Sequence, residues 1–444
     1  MSTTLKTDRI GHLITRPIRR ALMLSLWVAF FIITPTIILY TAGYRYDFTT
    51  GEVKQTGVLS VDISPKDALV TLNDIVIEKQ IPIRLPNRAP GTYLLKIERP
   101  GYKSWERDIV ITSNNTTYIK DITLIKDALP VREDNMNTEG VVTIQGHGDV
   151  LLMLKKTNEL YELHVKNMIT NSDTLIYRTL ATTEPEIVII PHAEAAYSRV
   201  TGIKTDQFYI IPLTNPENSI VTDIATDAEL SIDPTNKETI LYKKEGKNIT
   251  AFSFSKEPRF IGTASTSAWY ADAQGRIWEA YGSQVTNPYN GSIYIFPDTI
   301  DTIIHTNTAR IIATHGEKTM VATLSDNAVT TIETINGTNT YYNEKTGEWL
   351  VWSPWELTSI YADGGVSLLN RSGEKIKKVS VLDPAGVLLI ATEQGLSAFN
   401  PGYYVRHSLI KVSDYELASV QMNNRKLYFF GTFAGHRGVH SLEY

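Results

Sequence analysis

Twenty consecutive residues without a charge, Ala21–Tyr40, constrain this chain more than anything else in it. About 20 apolar residues match the span of a helix through a bilayer's hydrocarbon core. Only Ser25, Thr34 and Thr36 carry polar side chains there, and hydroxyls can bond back to the helix's own carbonyls. Pro35 is tolerated in such a helix, where the freed backbone groups find other partners. A cleaved signal peptide has an apolar region of only about 7–15 residues and ends in small residues. This run is longer, and Tyr40-Thr41-Ala42 is a poor cleavage site. The chain also lacks the cysteine that a lipoprotein needs. The expectation is an uncleaved signal anchor, residues 21–42, contacting the lipid bilayer.

Lys6, Arg9, Arg16, Arg19 and Arg20 precede the run, against Asp8 alone, so residues 1–20 carry +4. Basic residues next to a spanning helix stay on the cytoplasmic side. Residues 1–20 are therefore expected to be a cytoplasmic tail, with the C-terminal bulk outside. Subtracting +4 from the whole-chain charge of −5 leaves −9 for residues 21–444. A mildly acidic ectodomain is not the basic surface that nucleic acid requires. With no cysteine, disulfides, zinc–thiolate sites and thiol catalysis are excluded.

Beyond residue 42, short apolar runs alternate with Gly, Asn, Asp and Pro turns, the pattern of an all-β ectodomain. Residues 43–55 read as a juxtamembrane linker and 127–138 as an interdomain one. Between them, Gly57–Ile63, Asp67–Leu72, Ile75–Ile77, Thr92–Ile97, Tyr102–Ile111 and Tyr118–Leu124 read as strands of a small β-sandwich, residues 56–126. Pro65 and Pro90 preset φ at turns, and Gly91 and Gly101 supply positive φ. Tyr102 and Trp105 are bulky enough to fill a small core, with stacking on a sugar as the rarer alternative.

The ordered series Ser64-Pro65-Lys66-Asp67-Ala68, Ile81-Pro82-Ile83, Pro90-Gly91-Thr92-Tyr93 and Gly101-Tyr102-Lys103-Ser104-Trp105 resembles the PEGA domain family. Lys66 and Asp67 depart from the family's eponymous turn. The resemblance implies a compact surface module used for contacts, with Pro65, Ala68, Pro90, Gly91, Gly101, Tyr102 and Trp105 in structural roles. The prelude Gly43-Tyr44-Arg45 to Thr56-Gly57 also looks like the juxtamembrane stretch of anchored bacterial proteins of this kind.

In residues 139–444, apolar strands recur at Val150–Leu154, Ala195–Val200, Thr239–Tyr242, Ala268–Ala271, Arg310–Thr314, Glu348–Trp352, Gly386–Ala391 and Lys426–Phe430. Most neighbours are about 40 residues apart, the period of a four-stranded propeller blade. The third and fourth are closer, as if both belonged to one blade. Turns such as Ser231-Ile232-Asp233-Pro234 and Asp383-Pro384-Ala385-Gly386 precede several of these strands. The pattern is similar to the WD40-like and translocation-associated propellers of bacterial envelopes, with about seven blades and six or eight as alternatives. Two tandem sandwiches are the other architecture.

Chemistry is harder to find. No G-x-S-x-G elbow, phosphate loop or H-E-x-x-H motif occurs. His436 and His440 have ligand spacing for a helix but sit in a strand-like context. Gly146-His147-Gly148-Asp149 reads as an ordinary turn, and Asp272–Trp278 falls one residue out of register with an Asp-box. No metal, cofactor or catalytic residue is assigned. The densest aromatic cluster, Tyr341, Tyr342, Trp349, Trp352 and Trp355, offers candidate ligand contacts at Tyr341, Tyr342 and Trp355, against a plain packing role. Trp349 and Trp352 should face opposite sides of one strand. Six N-x-[ST] sequons, at Asn114, Asn115, Asn248, Asn290, Asn336 and Asn370, matter only where the host glycosylates envelope proteins.

The expectation is thus a non-enzymatic envelope protein contacting a protein partner or cell-wall polymer. The alternatives are a propeller-based hydrolase of envelope glycans or peptides, and a sensor acting through its tail.

Overall fold

The computed structural model describes residues 16–47, 51–236, 238–254, 256–326 and 328–444. Lys6, Asp8 and Arg9 of the basic tail lie outside them. Two compact units divide the chain, residues 1–124 and 125–444.

The first unit begins with the helix Arg16–Thr41. Within its stretch Pro17–Thr41, an 18-residue window has a mean hydropathy of 2.3, and none of that window is buried. The helix is long and apolar enough to cross a membrane. The Ser25 and Thr36 hydroxyls donate to the Leu22 and Ile32 carbonyls at 2.9 and 2.7 Å, which hides both polar groups in the helix itself. After the helix, the expected linker forms a hairpin, Tyr44–Asp47 against Glu52–Gln55. Arg45 fastens the helix end: its guanidinium lies 3.7 Å over the Tyr40 ring, and it donates to Tyr40 O at 2.8 Å and Asn87 Oδ1 at 3.0 Å.

Seven strands follow in two sheets, one of three strands and one of four. Gly57–Ser64 is central in the smaller sheet, parallel to Thr116–Thr123 and antiparallel to Ile83–Arg88. Every second residue of Gly57–Ser64 points inward, so Leu59, Val61 and Ile63 are buried while Asp62 and Ser64 are exposed. Ile83–Arg88 was not foreseen, since Pro86 and two arginines dilute its apolar pattern. Trp105 lies in the core at 3% exposure. Tyr102 is half-buried beneath Arg99, whose guanidinium stacks at 4.7 Å and pairs with Asp67. Gly101, at φ +76°, lets the Tyr102 N–H reach Arg99 O. Gly91 opens the strand Gly91–Glu98 directly after Pro90, and the Ala68 N–H closes the Pro65 turn.

The second unit holds eight four-stranded antiparallel sheets among the described residues, a β-propeller with one blade more than the favoured count of about seven. Val141–His147, Val150–Thr157, Leu160–Asn167 and Asp173–Leu180 form the first blade in consecutive order. The next six occupy 186–225, 229–263, 269–295, 302–336, 339–371 and 376–411. The eighth is composite: Tyr415–Gln421, Lys426–Phe433 and His436–Glu443 are completed by Val131–Arg132, from the stretch expected to be a linker. Pairing the first strand with the last closes the ring and removes an open edge.

The blade count follows from the short interval in the sequence. Seven of the eight apolar runs are the second strands of their blades, but Trp269–Ala271 is a first strand, followed by Ile277–Tyr281 as the second. Eight clusters of buried apolar residues each join two consecutive blades. One of them, containing Ile144, Met153, Tyr428 and Val439, joins the eighth blade to the first. Trp349 packs toward the fifth blade and Trp352 toward the seventh, opposite faces of one strand as its register requires.

Candidate functional site in the propeller funnel

The turn between the first and second strands of a blade recurs with one chemistry. A side-chain carbonyl or carboxylate accepts from the N–H two residues on: Asp233 from Thr235, Asp272 from Gln274, Asn343 from Lys345, and Asp383 from Ala385. These Asx turns explain why Asp and Asn precede the apolar second strands. They also place all first-to-second turns at one end of the ring, because strands within a blade alternate in direction.

At that end opens a funnel of about 690 Å³, lined from seven of the eight blades. Ile189, Ile232, Ile304, Val381 and Met422 make its wall apolar, and Tyr341 and Tyr342 add aromatic surface. His147, His192, Glu194, Glu344 and Lys345 supply the polar groups. A second recess of about 440 Å³ shares His147, Glu194 and Met422 and adds Asp149 and Gln421, whose side chains meet at 3.1 Å.

Burial holds the His147 imidazole below its ordinary pKa, with Glu194 and Glu344 pulling the other way. His192 is lowered for the same reason, opposed by a contact with Thr239 O at 3.4 Å and by Glu344 and Asp233. Burial raises the Tyr341 and Tyr342 phenols, so both stay protonated and neutral. Glu194 and Glu344 themselves are solvent-exposed.

An aromatic series leads from the funnel wall into the core. Tyr342 lies 5.1 Å from Trp349, Trp349 5.4 Å from His305, and His305 5.9 Å from Tyr270 between ring centres. His305 is 4% exposed, and the Tyr270 hydroxyl lies 3.0 Å from its Nδ1. Burial lowers its pKa to about 4, against an opposing pull from Asp233. The unfolded imidazole titrates near 6.5. Between these values the unfolded chain binds the extra proton, so the stabilisation is complete above pH 6.5 and is lost as pH falls toward 4. We expect acidification across that window to lower the stability through this group. His305→Gln should flatten the dependence in denaturant titrations from pH 7 to 4, and an unchanged slope would remove His305 as its source.

The structure places the three candidate contacts at two locations. Tyr341 and Tyr342 lie in the funnel, on the first strand of the sixth blade. Trp355 is 49% exposed beyond the second strand, at the opposite end of the ring. His147, His192, Glu194 and Glu344 were not expected to converge. His147 belongs to the turn that reads as ordinary in sequence, and the four residues come from three different blades. His440 is buried and stacked on Phe429, its Nδ1 3.1 Å from Gly438 O, while His436 is exposed on the same strand. Asp272 accepts from the Trp278 indole N–H and the Tyr289 hydroxyl as well as from its own turn. Among the described residues, no three His, Asp or Glu side chains are grouped as a metal site.

Residues 56–126 match the PEGA domain family. No curated protein matches the chain. Similar solved structures include an uncharacterized protein of Listeria monocytogenes EGD-e, with 10% identity, TM-score 0.40, and coverage of 62% of this chain and 96% of that one. The Cps50 (Swd1) β-propeller domain of Myceliophteria thermophila has 11% identity, TM-score 0.40, and coverage of 68% and 98%. A putative 6-phosphogluconolactonase of Bacteroides fragilis NCTC 9343 has 11% identity, TM-score 0.35, and coverage of 60% and 96%. Likenesses at these scores carry no functional inference, and the propeller assignment rests on strand order and ring closure.

Proposed function

We propose that this chain is a membrane-anchored binding protein of the cell envelope. The helix lies in the bilayer with the basic N-terminus in the cytoplasm, and residues 43–444 are outside. The PEGA-like module and the propeller contact a protein partner or wall polymer, and the propeller does so through its funnel. The carrying observation is the funnel's lining. Its volume is within the range of about 300–1,000 Å³ usual for ligand pockets, and it has the usual mixture of an apolar wall with a few polar groups.

Binding fits this lining better than hydrolysis does. A glycosidase needs a carboxylic acid kept protonated by an apolar environment, opposite a second carboxylate. The funnel's Glu194 and Glu344 are both exposed to solvent, which leaves them without such an environment.

The test is retention of the full chain, in detergent, on isolated wall polymer and on crosslinked envelope proteins in parallel. Tyr341→Ala should weaken saturable retention about tenfold, equivalent to about 1.4 kcal/mol. Turnover of the polymer, abolished by a single carboxylate substitution, would replace the binding reading with the hydrolase.

A further inference from the structure

We propose that the funnel mouth receives a basic peptide segment, with a lysine or arginine side chain inserted between its carboxylates and its tyrosines. This rests on the reading of the funnel as a binding site and assigns that site's ligand class.

The charge at the mouth is asymmetric. Glu194 and Glu344 belong to the main cavity and Asp149 to the recess continuous with it, against one lysine, Lys345. His147 and His192 do not offset the carboxylates, because burial keeps both imidazoles neutral at pH 7. Glu344 acts on both imidazoles and Glu194 on His147, so these groups share one locality. A concave site focuses such a field on an entering ion. Beside the carboxylates the same lining is apolar and aromatic, with Ile189, Ile232, Tyr341 and Tyr342.

Lysine and arginine combine a charged head with an apolar stem, and the lining offers a surface for each. Tyrosine faces attract the cation, and carboxylates accept its N–H groups. A neutral glycan would stack on the tyrosines but gain nothing from the net negative mouth. An acidic polymer would be repelled by it.

The experiment is fluorescence anisotropy with the full chain in a non-ionic detergent. Labelled hexalysine, hexaglutamate and an N-acetylglucosamine hexamer are titrated against wild type, Glu194→Gln/Glu344→Gln, Tyr341→Ala and Glu333→Gln. Glu333 is exposed on the outer strand of the fifth blade and controls for general acidity. Hexalysine should bind saturably, at least tenfold more weakly to the double variant and to Tyr341→Ala, and unchanged to Glu333→Gln. Equal weakening by Glu333→Gln, or no weakening in the double variant, overturns the proposal. Glycan binding that is lost in Tyr341→Ala but indifferent to the Glu→Gln changes also overturns it, yet leaves the funnel a binding site. Failure of all three probes to saturate removes both.

Discussion

Deleting residues 1–41 is expected to move the whole protein from the membrane pellet to the soluble fraction. Within Pro17–Thr41, Leu24, Leu26, Trp27, Phe30, Phe31, Ile32 and Ile33 are each more than half exposed. Burying one such side chain is worth about 1.5–3 kcal/mol. A row of them makes water the unfavourable solvent by a wide margin, so the shift should be close to complete. Carbonate washing of membranes carrying the full chain should leave it in the pellet, and mass spectrometry should find residues 1–41 attached. A soluble product beginning near Gly43 would mean the helix is a removable signal, and the anchor would be lost with it. The deletion should leave the β units folded, since the ties described between the helix end and the small domain run through Arg45.

How much of this molecule is legible in its sequence depends on where burial is continuous. The second strand of each blade sits inside its sheet with a neighbouring blade on either face. Leu151–Leu154 and Leu388–Thr392 are accordingly buried at every position. Such strands read as unbroken apolar runs, and they gave the blade period. The fourth blade broke the rhythm because its first strand, Trp269–Ala271, is just as buried as the second strands elsewhere. The closing strand Val131–Arg132 is two exposed residues and carries no pattern at all. Funnel residues are illegible for a related reason. His147, His192, Glu194 and Glu344 lie in or beside turns, spread over almost two hundred positions, and only ring closure brings them together. Tyr341 and Tyr342 stood out by aromatic density alone. That criterion also selected Trp355, which the antiparallel strand direction sends to the other end.

Trp105→Ala should unfold the small domain while leaving the propeller's transition in place. Trp105 is 3% exposed in a sandwich of seven short strands, and truncating a buried tryptophan costs about 3–5 kcal/mol. Domains are stable by only about 5–15 kcal/mol, and one of this size lies toward the lower end. The propeller has its own core in eight interblade clusters, and its ring is closed without any residue before Ile125. Calorimetry of the wild type should therefore resolve two transitions, with Trp105→Ala lowering or abolishing only the smaller. Tyr102→Ala provides the calibration: its ring is only half-buried, under the Arg99 guanidinium, so its loss should lower the small transition by less than Trp105→Ala does. A single transition that moves as a whole in the Trp105 variant would show the two units to be thermodynamically one. In that case a ligand in the funnel would also stabilise the small domain.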